Sequence, residues 1–433
     1  MFNFILKLKM IIMFWILLKT KIRSIDLKQE FLENNLKVIY EHREGELSSI
    51  CISFDAGAGA ERACDKMGTA HAVEHMVYKG TKKRSEAEIN EELSSVFGFQ
   101  NAMTNYPYCI YYGTLLSEDF EKGIEIFSDI LINPAFNESG FEEEMNVIKE
   151  ELNEWDEDLE QYCEDKLFIN AFDKRRIKYP IIGVYEDLNN MTLDDIKKFY
   201  KENYFPENAV ITVVTSLKYS EVMKICQKYF GQWKSEKSKK HNILEKYEMP
   251  KKQIFYDEKK DLKTCKIQAV FPIDELCEKE IKNLRIFNQF FGEGVNSLLY
   301  DNLRTKNGLV YDVLTRVAYE NYIKLYKITF TTSKENVDKT LDILKKCINS
   351  LEKYKKQINE DYKNKLVKSF KLKRLFREEQ SIVMAKELST YDTMFGNGQL
   401  YLDEISELDT LTIEDIFKTA QKVLSKCSIQ VIY

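Results

Sequence analysis

Histidine is nearly missing from this chain, with four copies in 433 residues. Imidazole clusters are therefore not expected by chance, and one that occurs carries weight. An excess of basic charge is also missing: 64 Lys and Arg stand against 70 Asp and Glu, a net charge of −6. That balance excludes the basic footprint of a nucleic-acid-binding protein. No C-x-x-C pair occurs among the nine cysteines, and their number is odd. A disulfide framework is thereby disfavoured, and reduced thiols in a cytoplasm are expected. Cys51 and Cys347 lie on apolar faces and read as small core residues.

A membrane-spanning run is absent too. Met10–Leu18 is strongly apolar but only nine residues long, short of the roughly 20 that cross a bilayer. Lys7, Lys9, Lys19 and Lys21 flank it, and no small-residue cleavage site follows. Residues 1–24 are therefore set apart as an apolar, basic segment. Two readings stay open for residues 1–21: a membrane-surface anchor, or an over-long reading frame that truly begins at Met10 or Met13.

What the chain does have is core-forming material, 44% hydrophobic and 12% aromatic residues. Its length predicts two or more domains. It also has His71-Ala-Val-Glu74-His75. Composition alone would produce two histidines four apart with an acid before the second in roughly 0.006 of such chains. On a helix, i and i+4 share a face. His71 and His75 can thus offer two imidazoles to one ion, with Glu74 close to that face. Thr69 is the expected N-cap and Gly80 the expected stop. Catalytic zinc typically takes three protein ligands and leaves one position for water. The other histidines, His42 and His241, carry no motif and read as surface residues.

The acidic stretch Phe141–Leu152 is the best source of a third ligand. Met145, Ile148 and Leu152 form its apolar face. Glu144 and Glu151 share another face, two turns apart. Glu150 competes with Glu151, pointing about 100° around the helix, and helix geometry alone leaves both open.

The H-x-x-E-H order, the following Met-Val-Tyr-Lys-Gly-Thr and the acidic helix 76 residues on resemble the inverted-zincin metallopeptidases. That family includes insulinase, pitrilysin and the mitochondrial processing peptidase. The resemblance covers roughly residues 27–433, the length of the family's short two-domain branch. It implies Zn2+ as cofactor, with His71, His75 and Glu151 as ligands. Glu74 is implied as general base and Glu144 as a supporting acid. In that branch two chains usually clasp into a dimer around a peptide chamber. A homodimer, or a heterodimer with a sister chain, is therefore implied.

The chain also echoes itself. Asn190–Val214 and Asp409–Tyr433 each open on a threonine cap (Thr192, Thr412), run an amphipathic helix and end in a β-branched strand. Phe120, Ile124, Phe127 and Leu131 form one apolar stripe; Val337, Leu341, Leu344, Ile348 and Leu351 form another. We expect an α+β fold of two similar domains, each a mostly antiparallel sheet with helices packed on it. Residues 25–233 would form the zinc-binding domain, 234–252 a lysine-rich linker, and 253–433 a second domain of the same fold.

The second half has no H-x-x-E-H. Its Gly292–Tyr311 stretch resembles the family's non-zinc domain, where an arginine and a tyrosine seven apart help bind substrate. Here these are Arg304 and Tyr311. A guanidinium can hold a peptide carbonyl, and a phenol can donate to an oxyanion. Asn101, Ala102, Met103 and Thr104 resemble the family's edge strand, which pairs with substrate backbone. Thr104, Tyr106, Tyr108, Ile110 and Tyr112 alternate as one strand would, with Pro107 fitting an edge. Phe99 stands where the family often has glycine. The expected activity is zinc-dependent endoproteolysis of peptides or unfolded segments, including processing of a ribosomally made peptide. The alternative is a non-catalytic partner subunit that has kept the fold. Such a relative is expected to lose motif residues, and His71, Glu74, His75 and Glu151 are all present.

Overall fold

The structure, a computed structural model, describes residues 27–62, 64–234 and 247–433. The segment 1–24 and most of the proposed linker lie outside the described residues, as does His241. Among the described residues no helix is long and apolar enough to cross a membrane.

Two sheets organise the chain. The first has strands β1 (Leu27–Phe31), β2 (Lys37–His42), β3 (Leu47–Phe54), β4 (Phe97–Thr104), β5 (Cys109–Leu116) and β6 (Ala209–Thr215). Their order is β1-β2-β6-β3-β5-β4. Only β2 and β6 run parallel; the remaining pairs are antiparallel. The second sheet has β7 (Ile254–Asp257), β8 (Cys265–Pro272), β9 (Val310–Ala318), β10 (Leu325–Thr332) and β11 (Ser428–Ile432), in the order β7-β11-β8-β10-β9. Again one pair, β7 with β11, is parallel. Each sheet thus repeats the same pattern, and the first adds β1 at one edge. β6 reads Ala-Val-Ile-Thr-Val-Val-Thr and is wholly buried, as a central strand covered on both faces must be.

The helices follow the apolar stripes. The zinc-motif helix α1 spans Thr69–Met76, and α2 spans Glu86–Val96. α3 (Phe120–Ile132) buries Phe120, Ile124, Phe127 and Leu131. α4 spans Glu138–Glu157 and α5 Leu159–Ala171. α6 (Leu193–Asn203) starts at Thr192, whose side chain caps Asp195 N–H. α7 spans Tyr219–Phe230, α8 Glu278–Phe291 and α9 Val337–Asn349. α10 spans Glu360–Glu378 and α11 Ser381–Phe395. α12 (Ile413–Leu424) starts at Thr412, which caps Asp415 N–H as Thr192 does for α6.

All strands of the first sheet come from residues 27–215 and all of the second from 254–432. Two helices cross between them. α5 lies between β5 and β6 of the first half, yet Leu167, Phe168 and Ala171 pack with Val270, Ala318 and Leu325 of the second sheet. α11 comes from the second half, yet Met384, Ala385 and Leu388 cover Ile39, Cys51, Ile110 and Val214 of the first. The first sheet is therefore enclosed, with α1, α3, α6 and α7 sharing the core on one face and α11 on the other.

One strand expectation is corrected. Tyr106, Pro107 and Tyr108 do not continue the run that begins at Thr104. Asn105–Tyr108 is the turn joining β4 to β5, closed by Asn105 N–H donating to Tyr108 C=O at 2.8 Å. Alternation survives on either side because the hairpin preserves the period of two.

Candidate metal centre and active site

α1 is held at its N-terminus by a buried carboxylate rather than by its own cap. The expected cap, Thr69, lies inside the first turn and donates its hydroxyl to Lys66 C=O at 2.6 Å. The residue before it, Gly68, sits at φ +92°, and a Cβ there would meet Ile182 O at 2.4 Å. Only glycine fits this left-handed, crowded position. Glu61 accepts from Gly68 N–H and Ala70 N–H, both at 3.0 Å, and is anchored by Arg176 at 2.5 Å. Its charge also suits the positive end of the helix dipole. Ala70, Ala72, Val73 and Met76 face the core, while His71, the buried Glu74 and His75 lie on the side toward α4 and β4.

The imidazoles of His71 and His75 lie 4.6 Å apart between ring centres. Glu151 on α4 brings Oε2 to 3.8 Å from His71 Nε2 and 3.5 Å from His75 Nε2. The donor atoms of this trio all fall within 4.8 Å of one another. Zinc bonds of about 2.0–2.1 Å at tetrahedral angles separate ligand atoms by roughly 3.3 Å. Two imidazole nitrogens and one carboxylate oxygen are also a donor set of catalytic zinc, so the residues fit such an ion. Glu150 is exposed and outside the trio.

Glu144, two turns earlier on α4, takes the other side of His75. Its Oε2 lies 2.7 Å from His75 Nδ1, and its Oε1 lies 3.1 Å from the buried ammonium of Lys79. The Nδ1–Glu144 contact fixes the His75 ring with Nε2 on the Glu151 side. His71 Nδ1, by contrast, is buried without a hydrogen-bond partner among the described residues. Lys79 also meets Glu86 at 2.8 Å and Glu143 at 3.1 Å. Sequence reasoning missed Lys79 and Glu61, because a lysine or glutamate in a chain this charged reads as a solvated residue.

The electrostatics are shaped by burial. Burial, with the His75 cation beside it, lowers the His71 pKa to about 3, leaving a neutral imidazole. Burial works against a His75 cation as well, but the Glu144 hydrogen bond and the Glu151 and Glu74 carboxylates outweigh it and raise the pKa. The hydrogen bond from His75 holds Glu144 below the usual carboxylate range. Glu151 is raised, mainly by burial. Glu74 is buried, and desolvation raises its pKa despite the hydrogen bond that Thr104 Oγ1 donates to Glu74 Oε2.

β4 is the outer strand of its sheet. Ala102 and Thr104 look toward the α1 side, while Asn101 and Met103 look the other way. Phe99 is half exposed beside a bulge at Gly98. Arg304 and Tyr311 sit together on the second half. The Arg304 guanidinium lies 4.5 Å from the Tyr311 ring centre and donates to Tyr311 C=O. Tyr311 is 80% exposed at the start of β9, the outer strand of the second sheet. Among the described residues, no hydrogen bond or ion pair joins this pair to the His71–His75–Glu151 trio. His42 is partly exposed and lies 3.1 Å from Glu44.

Known proteins match along most of this length. The chain is 26% identical over 297 residues to YmxG of Bacillus subtilis, named an uncharacterized zinc protease, covering 68% of this chain and 71% of the relative. It is 25% identical over 402 residues to an uncharacterized zinc protease of Rickettsia felis, covering 91% and 94%. It is 30% identical over 201 residues to a probable mitochondrial-processing peptidase subunit beta of Schizosaccharomyces pombe, covering 46% and 44%. In fold, it matches the crystal structure of a protease from Helicobacter pylori with a TM-score of 0.83, 21% identity, and coverage of 94% and 99%. The sequence profile of the insulinase family, peptidase family M16, matches residues 37–184, and that of the peptidase M16 inactive domain matches residues 190–368. The chain therefore belongs to the insulinase family of peptidases, M16, with a zinc-motif domain followed by a domain that lacks the motif.

Proposed function

We propose that this protein is a zinc metalloendopeptidase that cleaves peptides or unfolded segments. The observation that carries this reading is the convergence of His71, His75 and Glu151 donor atoms beside a buried glutamate, Glu74. His71, His75 and Glu151 would hold Zn2+, which when bound supplies Lewis acidity and lowers the pKa of a bound water to about 7. Glu74 takes a proton from the attacking water and later delivers it to the leaving amine. The hydroxyl of Thr104 fixes one oxygen of Glu74 and leaves the other for that transfer. Burial raises the Glu74 pKa, which suits a group that must both accept and return a proton. Asn101 to Thr104 on the outer strand β4 would pair with peptide backbone, and Glu144 would orient His75. Arg304 and Tyr311 would contact the peptide from a second copy of the chain, or from a sister chain. Processing of a ribosomally made peptide fits the same chemistry.

The decisive variant is Glu74→Gln. It is expected to bind one equivalent of zinc per chain by metal analysis and to lose peptide cleavage by at least about 100-fold, the usual contribution of general acid–base catalysis. Normal cleavage by this variant would sink the assignment of the base.

A further inference from the structure

A peptide strand added to β4 would place its side chains alternately on two faces. One face holds α1 and the metal-binding trio. The other holds α11, and Asn101 and Met103 lie on it. Asn101 stands directly across from Tyr112 on β5. Over the Tyr112 ring, 4.0 Å from its centre, stands the ammonium of Lys386 from α11.

A cavity of about 580 Å³ opens on this face. Met103 and Tyr108 of the first half line it together with residues of α8, β9, α10 and α11. It is lined by more cations than acids, but most of these are matched. Arg316 pairs with Glu320 at 2.6 Å, Arg377 with Glu387 at 2.8 Å and Lys373 with Glu293 at 2.8 Å. Arg285 and Arg374 share Glu404 at 2.6 and 3.1 Å. Among the described residues, Lys386 has no carboxylate partner, and its charge rests on an aromatic face alone.

We propose that Lys386 binds a carboxylate side chain of the bound peptide. Peptides with glutamate or aspartate at positions facing α11 are thereby preferred. This rests on β4 receiving the peptide as an added strand. Such a strand would lie two strand spacings, about 10 Å, from β5. A glutamate reaching inward past Asn101 and a lysine reaching outward from above Tyr112 can span that distance. The cavity gives the pair a partly desolvated setting, where a charge pair is stronger than at an open surface.

Fluorescent peptides carrying glutamate or glutamine at each position in turn test this. Binding to the full-length Glu74→Gln chain is read by anisotropy, and cleavage by the wild type as kcat/KM. At one or two positions of a single alternate set, glutamate is expected to bind about tenfold more tightly than glutamine. Lys386→Gln should abolish that difference, Lys386→Arg should keep it, and Lys386→Glu should favour lysine peptides instead. Equal treatment of glutamate and glutamine at every position by the wild type overturns the proposal, as does a preference that survives in Lys386→Gln. If Lys386→Gln does not fold, the wild-type comparison and Lys386→Arg decide. Selective binding without any cleavage would refute the peptidase reading and leave this one standing. Cleavage without selectivity would do the reverse.

Discussion

Lys79 ends among three carboxylates, and one of them, Glu144, holds His75. The chain from Lys79 through Glu144 to the imidazole joins the end of α1 to α4. Asn137, at the start of α4, reinforces the joint by donating to Lys79 C=O at 2.8 Å. Outer partners of this kind fix tautomer and ring orientation. We expect Lys79→Met to weaken zinc affinity by about 10–100-fold in chelator competition, as loss of such a partner typically does. Lys79→Arg should recover most of it. An unchanged zinc affinity in Lys79→Met would show that Glu144 needs no anchor. The histidines and Glu74 were legible in the sequence because their geometry is local, set within one helical turn. Glu151 against Glu150 was not, because which face of α4 meets α1 is a tertiary fact. Lys79 was invisible for the same reason. Its role comes from being buried beside three acids that arrive from other elements.

At the scale of elements, stripes and caps were readable. The periodicity of α3 and α9 and the threonines that open α6 and α12 depend on neighbours three and four residues away. The exchange of α5 and α11 was not readable, since periodicity tells which face is apolar and not which sheet will cover it. The exchange makes α5 an anchor between the halves. Its Glu164 meets Lys327 of β10 at 2.6 Å and accepts from Gln268 of β8 at 2.8 Å. Burial alone would raise the Glu164 pKa, but Lys327 and Gln268 pull it below the usual value. Glu164→Gln should cost about 1–3 kcal/mol in urea unfolding at pH 7, discounted from a fully buried pair for its partial exposure. A folded pKa below the unfolded one gives stability that is full above the unfolded value, near 4.3. It is lost as the pH falls through the folded value. The gap between wild type and Glu164→Gln should therefore be constant above about pH 5 and shrink below about pH 4. A gap that widens on acidification would contradict the ion pair.

At the scale of the whole molecule, the two residue groups proposed to act on a peptide stand apart, with no hydrogen bond or ion pair joining them among the described residues. The metal-binding trio is on the first half. Arg304 and Tyr311 are packed against each other on the second, with Tyr311 open to solvent. A tyrosine this exposed contributes little to its own core and is open to a chain that approaches it. If that is a second copy in a two-fold dimer, each site takes its metal trio from one chain and its Tyr311 from the other. Tyr311→Phe alone should then lower kcat by about 10²–10³ if the phenol donates to the oxyanion. Glu74→Gln alone should abolish cleavage. Mixed after subunit exchange, the two inactive proteins should regain activity. Random reassortment makes half of the dimers mixed, each with one intact site, so about a quarter of wild-type activity is expected. In a mixed dimer whose chains each use their own Tyr311, one site lacks Glu74 and the other lacks the phenol. Mixing would then restore nothing. The readout depends only on which chain supplies which residue, so a defect in folding or metal loading cannot imitate recovery.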